Sequence, residues 1–417
     1  MRLAPTSART FHVLVIDECL PFPPDVGRFV RTWNLLRRLA ARHTISLLCY
    51  GDPESAAARA VRAAGISLHF VRPFPAARGA RLYGGLFANV FSRYPYSVWK
   101  HYTRRYENRL GEVLRDNQFD LVHCECTVYA RFLRVVDKLP TLVMAHNIES
   151  QILSRRAHQS QTILDRVFFG LQARKMESFE RDVLRQANQV ATVTQLDADQ
   201  ARAWGVERVS LVENGVDLDY FTPPEEPAGQ CELLFFGALD WYPNLDSVEY
   251  LLEEIWPLIL RRLPAAKLRI VGRRPPPRLG KRVTACPGVE LVGEVPDVRP
   301  YLAWGTVVLV PLRIGGGSRI KILEALAMGK AVVSTSVGAE GLAVEDGMHI
   351  RLADTPAAFV QATVELLTSP GERRRLGENG RWLVVERYSW DRAGQALESA
   401  WLQVCEVGES PESRRRR

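Results

Sequence analysis

Short apolar runs bounded by polar turns alternate with stretches of helical periodicity along the whole chain. Phe11–Ile16 reads as a strand, and after Gly27 comes a helix with Phe29, Val30, Trp33, Leu36, Leu39 and Ala40 on one face. Thr44–Cys49 and Ser67–Val71 are further strands, with a helix around Glu54–Ala64 between them. Beyond an insertion, Leu121–Cys124, Thr141–Ala145, Gln189–Val193 and Val209–Val212 continue the rhythm. Strands that alternate with helices in this way predict a parallel sheet covered by helices on both faces.

The second half restarts the pattern. Glu232–Phe236, Lys267–Val271, Val289–Leu291, Val307–Pro311, Ala331–Ser334 and His349–Leu352 read as strands. Between the halves, Asn214-Gly215-Val216-Asp217, Phe221-Thr222-Pro223-Pro224 and the acidic stretch Glu225–Gln230 have the turn residues and low periodicity of a linker. The chain therefore divides into a first domain over 1–213, a second over 214–388 and a last amphipathic helix over 389–407, with 408–417 as a disordered basic tail. That helix places Trp390, Ala393, Leu397 and Trp401 on one side and is expected to return to the first domain. Two doubly wound, Rossmann-like α/β domains would turn the carboxyl ends of their strands toward a shared cleft, where such sheets bind ligands.

Composition narrows the class. A chain of 417 residues exceeds one ordinary core. No apolar run is long enough to span a bilayer, and Phe11–Ile16 is too short for a signal segment, so a cytoplasmic protein is expected. Seven scattered cysteines suit free thiols. His123-Cys124-Glu125-Cys126 lacks the second ligand pair a metal site needs, and reads instead as a strand end alternating inward and outward. The net charge of +8 suits an anionic ligand or membrane surface, and nothing carries a nucleic-acid-binding signature.

Chemistry concentrates after Pro311, where Gly315, Gly316 and Gly317 precede a helix expected to start near Ser318. Glycines let backbone N–H groups approach an anion, and a helix N-terminus adds partial positive charge. Arg319 and Lys321 supply the full charges a diphosphate requires. Glu324, farther along the helix, is placed to accept hydrogen bonds from ribose hydroxyls. The set suits a nucleoside diphosphate.

This stretch resembles the donor-binding signature of the GT-B fold glycosyltransferases, specifically the retaining family 4, or glycosyl transferases group 1. Asn214–Asp217 with Phe221–Pro223, Phe235-Phe236-Gly237, Val337–Leu342 and Tyr388-Ser389-Trp390 resemble further segments of that family. The resemblance implies a hexose-type sugar moved from a UDP- or GDP-sugar to a saccharide or lipid-linked acceptor in envelope or exopolysaccharide synthesis, with retention of configuration. It implies Gly27, Gly237, Gly315, Gly316, Gly317, Ser318, Arg319, Lys321 and Glu324 at the donor, and His146 at the transferred sugar. Arg319 and Lys321 would stabilise the leaving diphosphate, with no covalent nucleophile and no cofactor. No Asp-x-Asp pair stands where a metal-bridged diphosphate would need it. Two departures stand out. The family's earlier glutamate, eight residues before Glu324, is Gly316 here, and Gly237–Asn244 lacks the usual Arg and Lys.

The insertion from Arg72 to Arg109 interleaves basic and aromatic residues. Arg93, Trp99, Lys100, Arg104 and Arg105 are candidates for a lipid-linked acceptor or an anionic membrane surface. The alternative is a helix pair with its rings packed inward and a solvated basic face. Two other functions share the fold: a nucleotide-sugar epimerase, and a non-catalytic sugar-binding scaffold for which Gly316 speaks. A nicotinamide dehydrogenase is disfavoured, because no Gly-x-Gly-x-x-Gly turn follows the first strand.

Overall fold

Strands buried on both faces cannot alternate polar with apolar, and the strand segments here are nearly continuous hydrophobic runs. In the computed structural model, which describes residues 9–73, 79–160, 162–225, 229, 231–315 and 319–408, they form two all-parallel sheets. The chain divides into two units, one of residues 1–213 with 391–417 and the other Asn214–Trp390.

The first unit holds β1 (His12–Cys19), β2 (Thr44–Tyr50), β3 (Ile66–Val71), β4 (Leu121–Cys124), β5 (Thr141–Ala145), β6 (Gln189–Thr192) and β7 (Val209–Leu211). Their order in the sheet is β3-β2-β1-β4-β5-β6-β7. The order reverses between β1 and β4, which opens a crevice at the carboxyl ends of those strands. All four residues of β4 are buried, so the inward–outward alternation expected there is absent: this central strand has helices against both faces.

The insertion folds into helices Ala80–Val90, Tyr96–His101 and Arg104–Asp116. Tyr106, Leu110 and Val113 of the last pack into the core. The inward packing of rings holds there but not earlier in the insertion, where Tyr83, Phe87 and Phe91 are 72%, 70% and 79% exposed. Residues 391–408, which form most of the final helix Trp390–Gly408, group with this unit. Glu398 is buried against His43 (2.9 Å) and Arg42 (3.1 Å), and the buried Trp401 ring lies 5.6 Å from that of His43 and 5.9 Å from that of His123.

The second unit holds β8 (Glu232–Phe236), β9 (Lys267–Val271), β10 (Val289–Gly293), β11 (Val307–Val310), β12 (Ala331–Ser334) and β13 (Arg351–Leu352), in the order β10-β9-β8-β11-β12-β13. Strand β8 sends Leu233 and Phe235 to one core and Leu234 and Phe236 to the other, the period of two made visible. Its order reverses between β8 and β11.

Several boundaries differ from expectation, β1 among them, which runs on to Cys19 rather than ending at Ile16. Strand β13 begins at Arg351 rather than His349, because His349 Nδ1 accepts the Glu345 N–H (3.1 Å) within a tight turn. The helix after the glycines spans Ile320–Ala327, with Arg319 still extended before it, so it starts later than Ser318. Gly316, Gly317, Ser318 and the basic tail beyond Gly408 lie outside the described residues. Within the second unit, Val216 N–H donates to Tyr388 O (2.9 Å), so the segment that enters the unit runs beside the one that leaves it. A Cβ on Gly215 would stand 2.6 Å from Trp390 N, which leaves only glycine room for that approach.

Candidate active site

In the first unit, the crevice at the sheet reversal gathers polar side chains from three strand ends. Asp17, in β1, is fully buried and accepts Arg28 Nη1 (2.7 Å) and the Glu18 N–H (2.7 Å). Burial raises the Asp17 pKa, with Arg28 opposing it. Arg28 is the second residue of helix Gly27–Leu39, so Gly27 stands exposed at a helix start beside this crevice.

Glu125 follows β4 and is the hub. Its Oε1 accepts Thr32 Oγ1 (2.8 Å) and lies 3.2 Å from His146 Nε2; its Oε2 lies 3.0 Å from His123 Nε2. Burial alone would raise its pKa, yet the hydrogen bonds and charge of His123 and His146 hold it well below the usual carboxylate range. A buried anion thus orients His146, which directly follows β5 and whose side chain is 13% exposed. Asn147 does not cap the next helix, Glu149–Gln159. Glu180 does so instead, accepting the N–H groups of Glu149 (2.7 Å) and Ser150 (3.1 Å), while Asn147 Nδ2 donates to Glu149 (3.2 Å).

In the second unit, Gly237 directly follows β8 with φ at +152°, and Lys321 crosses to it from the helix after β11. Lys321 Nζ donates to Asn244 Oδ1 (2.7 Å), and Asn244 Nδ2 donates to Ala238 O (2.9 Å). A Cβ on Gly237 would lie 2.6 Å from Lys321 Nζ, so a side chain here would displace the ammonium. Burial, with Arg319 next, brings the Lys321 pKa down to about 7, opposed by Glu324. Burial pushes Glu324 up to about 7, opposed by Lys321. Arg319 is buried, its guanidinium folded where a Gly315 side chain would stand and 6.0 Å from the Trp241 ring.

The structure therefore joins Gly237 to Lys321 and Gly315 to Arg319, with Glu324 one turn beyond Lys321. Arg93, Trp99, Lys100, Arg104 and Arg105 are all exposed on the insertion. Asp17, Thr32, Glu125 and Asn244 were missed by sequence reasoning. Among the described residues no group of three or more His, Cys, Asp or Glu could hold a metal ion.

The family model described as "Glycosyltransferase Family 4" matches residues 27–220, and "Glycosyl transferases group 1" matches 230–369. The chain belongs to the family 4, group 1 glycosyltransferases. The first segment contains Gly27, Thr32, Glu125 and His146, and the second contains Gly237, Asn244, Arg319, Lys321 and Glu324. The glycosyltransferase is 20% identical over 297 residues to "Uncharacterized 44.6 kDa protein in cps region" of Klebsiella pneumoniae, covering 67% of this chain and 74% of that one. It is 29% identical over 224 residues to the MMP alpha-(1->4)-mannosyltransferase of Mycolicibacterium hassiacum, covering 51% of this chain and 53% of that enzyme. It thus spans about half the length of that relative. Among solved structures it resembles Anabaena Alr3699/HepE in complex with UDP and glucose, with a TM-score of 0.66, 15% identity, and 93% and 98% of the two chains covered. The fold is GT-B, with two Rossmann-like parallel-sheet domains.

Proposed function

We propose that this glycosyltransferase moves a hexose-type sugar from a UDP- or GDP-sugar to a saccharide or lipid-linked acceptor, with retention, in envelope or exopolysaccharide synthesis. The carrying observation is the donor half-site, with Lys321 tied to Asn244 over the bare face of Gly237 and Glu324 one turn on. Lys321 and Arg319 hold the diphosphate, Gly315, Gly316, Gly317 and Ser318 offer backbone donors, and Glu324 takes the ribose hydroxyls. The place of the Klebsiella relative in a cps region, and the UDP and glucose bound in the Anabaena Alr3699/HepE complex, support this reading.

In the reaction, the bond between the anomeric carbon and the diphosphate oxygen breaks while the acceptor hydroxyl oxygen bonds that carbon from the same face. The acceptor's proton passes to the departing diphosphate. Charge builds on the leaving group, so pre-oriented cations supply the main stabilisation and no protein nucleophile is required. His146, held by Glu125, contacts the transferred sugar. The reaction proceeds without a metal, and the exposed basic and aromatic insertion meets a lipid-linked acceptor or an anionic membrane surface.

The test is a panel of UDP-, GDP- and ADP-sugars, scored by thermal stabilisation and slow donor hydrolysis on wild type and Glu324→Ala. One nucleotide series should stabilise and be hydrolysed, with both effects lost in the variant. Binding without turnover when acceptors are supplied would favour a non-catalytic sugar-binding scaffold, the reading that Gly316 in place of the family's glutamate supports.

A further inference from the structure

On the first unit, away from the crevice, three arginines and two tyrosines interleave in a column. Arg93 lies over the Tyr94 ring (4.7 Å), Arg131 over both Tyr94 (3.9 Å) and Tyr102 (3.8 Å), and Arg134 over Tyr102 (5.0 Å). Arg134 is compensated by Glu107 (2.6 Å). Among the described residues, Arg93 and Arg131 have no carboxylate within ion-pairing distance, and the buried Nε of Arg131 has no hydrogen-bond acceptor. Rings on both faces of the Arg131 guanidinium leave only its edge, with the N–H groups, to meet a partner.

The column borders a cavity of about 860 Å³ whose lining also includes Lys138, Asp137 and Asp182. Thr141 and Asn188 line it as well, which places it at the amino ends of β5 and β6. His146 follows the other end of β5. Five residues of strand separate the two, roughly 16 Å, so this cavity is not the crevice at the sheet reversal.

Stacked like charges with one carboxylate among them repel, and an oxyanion with several oxygens is the ligand whose geometry matches adjacent guanidinium edges. We propose that Arg93, Arg131 and Arg134 form a second anion site that binds a phosphate-bearing ligand, separate from the donor diphosphate site. Asp137 and Asp182 in the lining limit its positive charge, so recognition rests on the match between several phosphate oxygens and the adjacent guanidinium edges. The phosphate comes either from a soluble phosphorylated compound or from a phospholipid headgroup.

Inorganic pyrophosphate is the probe, titrated calorimetrically into the full chain carrying Lys321→Ala, which disables the donor site. One site should remain, weakened about tenfold by Arg131→Gln and by Arg93→Gln. Arg93 is exposed, so its variant carries the test even if Arg131→Gln fails to fold. No pyrophosphate binding in the Lys321→Ala chain, or unchanged affinity in both arginine variants, overturns the proposal. Phosphatidylcholine vesicles with and without phosphatidic acid separate the sources. Sedimentation that requires both phosphatidic acid and Arg93 supports the site with a headgroup as its ligand. Pyrophosphate binding without vesicle binding supports it with a soluble phosphate ester.

Discussion

Raising the pH from 6 to 8 should weaken nucleotide-sugar binding by up to about tenfold, and Lys321 is the reason. Burial, repulsion from Arg319 and opposing attraction to Glu324 leave its pKa at about 7, so near neutrality the free protein holds it half-protonated. A diphosphate beside it favours the ammonium. Binding therefore takes up a proton, and affinity is lost as pH rises through 7. The protonated fraction falls from roughly 0.9 at pH 6 to roughly 0.1 at pH 8, which sets the limit of about tenfold. Glu324 titrates over the same range, and its ionisation on raising the pH strengthens a ribose hydrogen bond and offsets part of the loss. Glu324→Gln removes that offset and also the attraction that holds a proton on Lys321. The variant should therefore show the full fall, with its midpoint moved below 7. A UDP- or GDP-sugar is the right ligand, because its diphosphate is esterified at both ends and does not titrate here. Calorimetry at pH 6, 7 and 8, in buffers of different ionisation enthalpy, reads affinity and proton uptake together. Constant affinity without proton uptake, or a midpoint that rises in Glu324→Gln, would refute the assignment of Lys321 to the phosphates.

Three further outcomes are expected. His146→Ala should lower donor hydrolysis and transfer on the order of 10²-fold while leaving nucleoside diphosphate affinity unchanged, since that ligand carries no sugar; equal losses in both would remove His146 from the sugar. Gly338→Ala should cost about 1–3 kcal/mol in chemical denaturation, because its Cβ would overlap Ser334 Oγ and stand 2.7 Å from Val310 O; an unchanged midpoint would contradict the close packing of that turn. Trp401→Ala should cost about 3–5 kcal/mol, because this fully buried ring packs between His43 and His123; a loss below 1 kcal/mol would show that the final helix is not anchored by its aromatic face.

The two sheets were legible because their signals are contiguous. The Val307–Val310 run announces a buried strand by itself, and Gly315 through Glu324 lie within one short stretch whose residue types already suit a diphosphate. Boundaries failed where a side chain redirected the backbone, as His349 does before β13. The groups that orient the site were not legible, and sheet order explains why. Glu125 was weighed only with its sequence neighbours His123, Cys124 and Cys126, as part of a metal candidate. Its partners Thr32 and His146 come from elsewhere, brought to it because β1, β4 and β5 are adjacent. Asn244 has no motif at all; it meets Lys321, 77 residues away, only because β8 pairs with β11. The departure at Gly237–Asn244, where the family's usual Arg and Lys are missing, then takes on a different meaning. That turn contributes no cation of its own. Instead it positions the one supplied by the helix after β11, with a glycine that leaves space and an amide that fixes the ammonium. Substituting Asn244 should accordingly weaken diphosphate binding through Lys321 and lose its effect once Lys321 is already alanine, a coupling that an independent contact would not show.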